Sequence, residues 1–275
     1  MFKEYSVLMS LYDGEDPAYL GPSIESMINQ TVQPDEIVIV LDGPINKKLQ
    51  SIINHYVNNY PDLFSIVPLK ENVGLGRALN AGLKASSNSL VARMDTDDIA
   101  LPTRCEKQLK VFELDPQLSI VGTNTDEFTN DPSEIITSRV VPSVHEDIVK
   151  FSKTRNPFNH PTVMYKKDDI LESGGYGDFR RNQDYELFVR MLNEGYKARN
   201  IDEALLLFRA NEDNIKRRKS WNKTKGDILI RYNFWKQGYI DLGSLALSTS
   251  AFLGAYILPN KLFERFSSNV LRKKK

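Results

Sequence analysis

The sequence predicts an α/β protein with a mostly parallel, doubly wound central sheet flanked by helices, and a helical segment at its C-terminal end. Three observations predict it. Up to about residue 122, short runs rich in Val, Ile and Leu alternate with segments of helical period, the order that builds strand-helix-strand units. The runs are apolar almost throughout rather than at every second position, as in strands covered on both faces. Beyond Phe208 the charge balance reverses, which marks a segment of a different kind.

The runs YSVLMSL (5–11), EIVIVLD (36–42), LFSIVPL (63–69), SLVARMD (89–95) and LSIVGT (118–123) read as buried parallel strands. Between the first two, Leu20, Ile24, Met27 and Ile28 fall on one face of a helix. The second connection carries Leu49, Ile52, Ile53 and Tyr56, and the third GRALNAGLKA, so the crossovers are helical and expected to be right-handed. Past Gly122 the pattern loosens into polar loops, then TVMYKK (162–167), a Gly-rich turn ESGGYGDF (172–179) and the helix NQDYELFVRMLNEG. There Tyr185, Phe188, Val189 and Leu192 share a face, Gly195 supplies the stop, and Asp184 falls in the first turn, off that face. ALLLF (204–208) is a further strand. The expected organisation is a main domain over 1–215 in two halves, 1–122 and 123–215, followed by a basic, amphipathic helical segment over 216–275.

The 275 residues are 41% hydrophobic and 26% charged, a composition that excludes disordered and fibrous classes. Lys plus Arg equals Asp plus Glu at 36 each, but up to Phe208 there are 21 basic against 31 acidic residues, and from Arg209 onward 15 against 5. A basic end on an acidic body suits an anionic surface rather than nucleic acid. The single cysteine, Cys105, forbids an internal disulfide and reads as a buried structural residue. The stretch MFKEYSVLMSLYDG lacks a signal-peptide cleavage pattern, so a cytoplasmic protein is expected. From Leu242 to Leu258 seventeen residues carry no charge, short of the about 20 that a membrane span needs. Leu262, Phe263, Phe266 and Val270 then form an apolar stripe among Lys261, Arg265 and the terminal RKKK. That pattern suits a helix lying in a membrane interface, peripheral on the inner face of the plasma membrane; a hairpin packed on the catalytic body is the alternative.

Chemistry concentrates at predicted strand ends, where ligands of open α/β sheets bind. The fourth strand ends in MDTDD, with Asp95, Asp97 and Asp98 within four positions. Carboxylates so spaced can share one hard cation; the competing reading is that Asp97 or Asp98 caps the helix beginning near Pro102. The first strand ends in LYDGED and the second in LDGP, acids that also form plain turns. ENVGLGRALNAG (71–82) places glycines and Arg77 at a helix start, where a diphosphate could bind. Asp184 could equally be a proton acceptor or an acid complementing a helix dipole, and the dipole would make it a weaker base unless Glu186 or desolvation compensates. His160 lies in a Pro-bounded loop and is as readily structural as functional, while His55 and His145 have no partners in sequence.

The ordered set YSVLMSLYDG, SMINQTVQPDEIVIVLDGP, ENVGLGRALNAGLKAS, LVARMDTDD, NHPTVMYKK and QDYELFVRM resembles the family 2 glycosyltransferases with the GT-A, Rossmann-like fold, especially those of bacterial capsule and exopolysaccharide assembly. The likeness covers about residues 3–210. It implies a nucleotide-sugar donor, usually a UDP-sugar, with Leu11, Tyr12 and Asp13 lining the base pocket, Asp42 hydrogen-bonding the base, and Arg77 near the donor. By the same likeness Asp95 faces ribose or sugar, Asp97 binds the Mn²⁺ or Mg²⁺ that bridges the diphosphate, and Asp184 is the base of an inverting transfer. Arg209, with Arg217 and Arg218, matches a loop that folds over the diphosphate, and His160 and Glu186 stand where acceptor contacts occur. The implied acceptor is a lipid-linked oligosaccharide. LDGP departs from many relatives in having one acid where they have two, so the base contact rests on Asp42. The rival readings are a phosphatase or phosphotransferase using the D-x-D, a dinucleotide-binding oxidoreductase, and a nucleotide-sugar-binding protein without turnover. Phosphatases of that kind carry the D-x-D after the first strand, and the GLG at 74–76 lacks the third glycine of a dinucleotide fingerprint.

Overall fold

The computed structural model describes residues 4–179, 181–210 and 221–257. The elements run β1 (Tyr5–Leu11), α1 (Pro17–Ile28), β2 (Glu36–Leu41), α2 (Lys47–Asn59), β3 (Phe64–Pro68), α3 (Leu75–Ala85), β4 (Leu90–Met94), β5 (Ile99–Ala100), α4 (Arg104–Leu114) and β6 (Leu118–Phe128). There follow β7 (Thr137–Arg139), α5 (His145–Ser152), a 3₁₀ turn (His160–Thr162), β8 (Met164–Lys166), α6 (Lys167–Glu172), α7 (Gln183–Asn193), β9 (Lys197–Arg209), α8 (Trp221–Lys236) and α9 (Leu242–Ile257).

The sheet has the order β3-β2-β1-β4-β8-β6-β9-β5, with β7 on β6. Strands β1 to β4 are parallel, and their register aligns Leu11 with Leu41 and Met9 with Met94, so their carboxyl ends share one rim. The predicted α/β class and the first four strands are as observed. The fifth run is displaced: β8 enters antiparallel between β4 and β6, so β6 does not continue the parallel set side by side.

β6 also runs on to Phe128, past the point where polar loops were expected, and position 122 lies inside it. Several of the polar residues buried there find partners. Asn124 donates to Asp202 at 3.0 Å and accepts from the Val141 N–H at 2.9 Å, and Ser138 donates to Asp126 at 2.5 Å. Satisfied polar groups can occupy a strand core that hydropathy alone reads as a loop. The ALLLF run belongs to a longer β9, whose register against β6 shifts three times.

Alternate residues of β1 face opposite layers, as a two-residue period requires. Tyr5, Val7, Met9 and Leu11 pack with Leu20, Ile24 and Met27 of α1, Leu49 and Ile53 of α2, and Cys105 and Leu109 of α4. Leu8 packs the other way, with Ala78, Leu79 and Leu83 of α3 and Leu187, Phe188 and Met191 of α7. Gly82 lets α3 approach closely, since a Cβ there would lie 2.2 Å from Leu8 Cδ1 and 2.8 Å from Val40 Cγ2. Cys105 is buried, as expected.

A third cluster joins Tyr185 and Val189 of α7 to Ile230 and Phe234 of α8 and to Ile240. α7 is therefore packed on several sides, not on one face. α8 and α9 nonetheless expose Leu229, Tyr232, Trp235, Leu247, Leu253 and Tyr256. Among the described residues no helix is long and apolar enough to cross a membrane. The stripe of Leu262, Phe263, Phe266 and Val270 and the pair Arg217 and Arg218 lie outside the described residues.

Candidate active site

The loop after β4 gathers the acids that the sequence singled out. One carboxylate oxygen each from Asp95, Asp97 and Asp98 lies within 4.8 Å of the others. Neither Asp97 nor Asp98 caps a helix: α4 begins at Arg104 with Thr103 before it, and no side chain caps that end. The loop is fixed instead by long-range bonds. Ser23 Oγ donates to the Asp95 carbonyl at 2.7 Å, the Arg209 N–H to Asp98 Oδ1 at 2.9 Å, and Arg209 Nε to the Asp97 carbonyl at 3.0 Å. Thr96 Oγ1 donates to Glu15 at 2.7 Å, bringing a fourth acid close.

These acids repel one another. Burial, then Asp95 and Glu15, pushes the Asp97 carboxyl up to about 7, and burial, then Asp97 and Asp95, pushes Asp98 well above the ordinary range. Asp98 Oδ2 is buried without a donor, while Asp95 pairs with Arg93. A carboxylate oxygen without a donor, among acids that resist ionising together, is a donor set suited to a hard divalent cation. Asp95, Asp97 and Asp98 could hold such an ion.

The expected base-pocket residues separate. The Leu11 side chain is wholly buried in the core and its carbonyl accepts from the Asp42 N–H at 2.7 Å, so its expected contact with a base is corrected. Tyr12 is 45% exposed and lies over Gly14, and Asp13 is exposed beside it. Asp42 is buried and accepts from the N–H groups of Val73 at 2.7 Å and Gly74 at 3.1 Å. It therefore pins the loop that opens α3, and a base contact would share oxygens already in use. Arg77, in the first turn of α3, is exposed and bonded to Asp178 through Nε at 2.9 Å and Nη2 at 2.5 Å. Arg209 is buried and stacked between Tyr19 and Phe128, its Cζ 3.9 and 4.5 Å from the ring centroids.

Asp184 lies one residue into α7 and is partly exposed. Asn156 Nδ2 donates to its Oδ2 at 2.6 Å. Burial raises its pKa, and the Tyr185 N–H, Arg139 and Arg93 only partly offset that rise. Desolvation thus wins the contest with the helix start. Both Glu186 oxygens are held by Arg190, at 2.8 and 3.1 Å, so the expected acceptor contact would require that pair to open. His160 is buried, bonded to Tyr176 Oη at 2.9 Å, and kept neutral by burial and by Arg93.

Arg93 is the residue that sequence reading missed. It is buried in β4, bonded to Asp95, and its positive charge acts on Asp97, Asp98, Asp184 and His160. One buried guanidinium therefore stands within electrostatic reach of both the acid trio and Asp184. Its signal was legible: a lone Arg in an apolar strand, two positions before Asp95 and so on the same face. Asn156 carried no such signal.

Four parallel strands of a mixed sheet carry a trio of carboxylates at their rim, and a recessed acid lies in the first turn of a later helix, an arrangement that suits a GT-A transferase. The comparisons agree. The model of Glycosyl transferase family 2 matches residues 6–173. The amylovoran biosynthesis glycosyltransferase AmsE of Erwinia amylovora is 39% identical over 226 residues, 82% of this chain and 84% of that protein. The UDP-Gal:alpha-D-GlcNAc-diphosphoundecaprenol beta-1,3-galactosyltransferase of Escherichia coli is 32% identical over 270 residues, 98% of this chain and 97% of that protein. The mannosyltransferase PcManGT of Pyrobaculum calidifontis, solved with GDP-Man and Mn²⁺, shares the fold with a TM-score of 0.63 at 15% identity, covering 98% of this chain and 80% of that one. The chain belongs to the family 2 glycosyltransferases.

The raised Asp97 pKa has a signed consequence. The folded chain holds that proton more tightly than the unfolded one, so the cost to folding is absent below about pH 4 and complete above about pH 7. Asp97→Asn is expected to raise Tm at pH 8 in chelator, by about 2–4 °C for each kcal/mol of repulsion removed, with the gain shrinking as pH falls toward 4. Calorimetric scans giving equal Tm values at pH 8 would contradict the repulsion.

Proposed function

We propose that the protein is a metal-dependent, inverting glycosyltransferase. It moves a sugar from a UDP-sugar to a lipid-linked oligosaccharide during assembly of a surface polysaccharide, at the inner face of the plasma membrane. The observation that carries this reading is the acid trio at the end of β4 together with a single recessed carboxylate, Asp184, whose pKa burial raises. The names of the relatives support the donor and acceptor classes: one is an amylovoran enzyme, and the other uses UDP-Gal and a diphosphoundecaprenol-linked sugar. A fold neighbour solved with Mn²⁺ supports the metal.

In this reading Asp97 is a ligand of Mn²⁺ or Mg²⁺, Asp98 offers its unpartnered oxygen, and Asp95, held by Arg93, faces ribose or sugar. The ion supplies charge stabilisation to the departing diphosphate. Tyr12 and Asp13 flank the base, Asp42 holds the loop beneath it, and Arg77 and Arg209 contribute positive charge nearby. Asp184 accepts the proton of the acceptor hydroxyl as that oxygen attacks the anomeric carbon from the side opposite the leaving group. Its raised pKa makes it a stronger base than a surface aspartate, and Asn156 fixes one oxygen so that the carboxylate presents a set face. One base and an in-line attack give inversion.

The membrane surface is met through α8 and α9, whose exposed Trp235, Tyr232, Leu247 and Leu253 are of the types that settle at a lipid interface. Six of the eighteen residues from 258 onward are Lys or Arg, against one Glu, which suits anionic lipid.

Asp184→Asn is expected to lower the transfer rate by about 10²–10⁴-fold while UDP affinity in Mn²⁺ is unchanged. Single-turnover transfer at the wild-type rate would remove Asp184 from the mechanism. For the membrane contact, Leu247→Glu with Leu253→Glu should leave the protein folded and release it from phosphatidylglycerol vesicles in a sedimentation assay. Equal co-sedimentation with the wild type would contradict that contact.

A further inference from the structure

The base candidate is held from an unexpected quarter. Asp184 sits between two segments, the start of α7 on one side and the loop 153–157 on the other, which reaches it through Asn156. Both segments are gripped by α8. Asn182, two residues before Asp184, donates its Nδ2 to Asp227 Oδ1 of α8 at 2.6 Å. One helical turn on, Arg231 donates Nη2 to the Thr154 carbonyl at 2.8 Å and Nη1 to the Asp227 carbonyl at 2.9 Å. Asp227 and Arg231 are each 4% exposed, so these bonds lie where water does not compete.

The backbone shows the same grip. Asn182 has φ 60° and ψ 21°, and among the described residues it alone is a non-glycine at positive φ. Asn is among the few non-glycine types that adopt the left-handed region, and it persists there where its surroundings hold it. Here the side-chain bond to Asp227 supplies that hold, and it sets the angle at which α7 begins. Arg231 further lies over the Tyr185 ring with its Cζ 4.8 Å from the centroid, and over Phe252 of α9 at 4.4 Å. Tyr185, next to Asp184, donates its hydroxyl to the Ser152 carbonyl at 2.7 Å. The buried face of one helix thus touches Asn182 and Tyr185, which flank Asp184, and the loop that carries its hydrogen-bond donor.

We propose that Asp227 and Arg231 are positioning residues for the transfer reaction, so that the C-terminal hairpin sets the geometry of the base as well as offering a membrane-facing surface. This rests on Asp184 being the base. The donor side is held by other elements: the acid trio is fixed by Ser23, Arg93 and Arg209, none of them bonded to α8 among the described residues. Loosening α8 therefore acts on the acceptor step and leaves the donor step alone.

The test compares Asp227→Ala, Asn182→Gly and the double variant with Asp184→Asn, reading kcat at saturating donor and acceptor, and UDP affinity in Mn²⁺ by calorimetry. Asn182→Gly tolerates the positive φ while losing the bond, so it carries the test if Asp227→Ala does not fold. Displacing a catalytic group by about 1 Å costs up to about 100-fold, so each single variant should lose about 10- to 100-fold in kcat with UDP affinity unchanged. The double variant should lose no more than the worse single, because both remove one contact. Wild-type kcat in Asn182→Gly, with Asp184→Asn inactive, would overturn the positioning role alone. Equal losses of kcat and UDP affinity would also overturn it, as a merely structural effect. Transfer by Asp184→Asn would instead overturn the base assignment itself.

Discussion

Three carboxylates held within one small volume at the end of β4 are the constraint around which the rest is arranged. Like charges so close, partly removed from water, cost free energy unless a cation or a proton intervenes. The chain itself supplies only part of the relief. Arg93 pairs with Asp95 and partly offsets the repulsion at Asp97, and the Arg209 N–H binds one oxygen of Asp98, but the Asp97 carboxyl is still pushed up and the other Asp98 oxygen has no hydrogen-bond partner among the described residues. The fold spends packing on keeping this arrangement: Ser23 of α1, Arg104 of α4 through its 2.6 Å bond to the Arg93 carbonyl, and Arg209 of β9 all converge on the loop. Elements so far apart in sequence would not be fastened to one short acidic turn unless its geometry mattered.

Asp184 meets the opposite treatment. It accepts from Asn156 and from the Tyr185 N–H, and has its pKa raised chiefly by desolvation. Acids in one site whose environments differ in this way take different parts in a reaction. In the proposed reading the cluster serves a cation and Asp184 serves a proton. Arg93 acts on both, so its removal would be felt on the donor and acceptor sides together.

Much of this was legible in sequence. Near-continuous apolar runs and helix-period connections predicted β1 to β4 and α1 to α3, because buried parallel strands write their covering on both faces into their composition. The D-x-D was readable since its position at a strand end is a topological matter. What escaped was set by long-range partners. β6 from Thr123 to Glu127 looks like a loop by hydropathy and is a buried strand because Thr162, Asp202 and Ser138 satisfy it. Leu11 was expected at a base pocket, yet its strand parity points it into the core with Met9. Glu186 was expected to face acceptor, but one turn of helix brings Arg190 to it first. The Asn182 to Asp227 bond spans 45 residues and leaves no local periodicity to read.

The central claim is that the acid trio works by sharing a divalent cation with a nucleoside diphosphate. Titration calorimetry of UDP into the protein, once in Mn²⁺ and once in EDTA, tests it most directly. Measurable heat in Mn²⁺ that vanishes in EDTA, and that Asp97→Asn also abolishes, is the predicted result. The same UDP affinity in both buffers would contradict it.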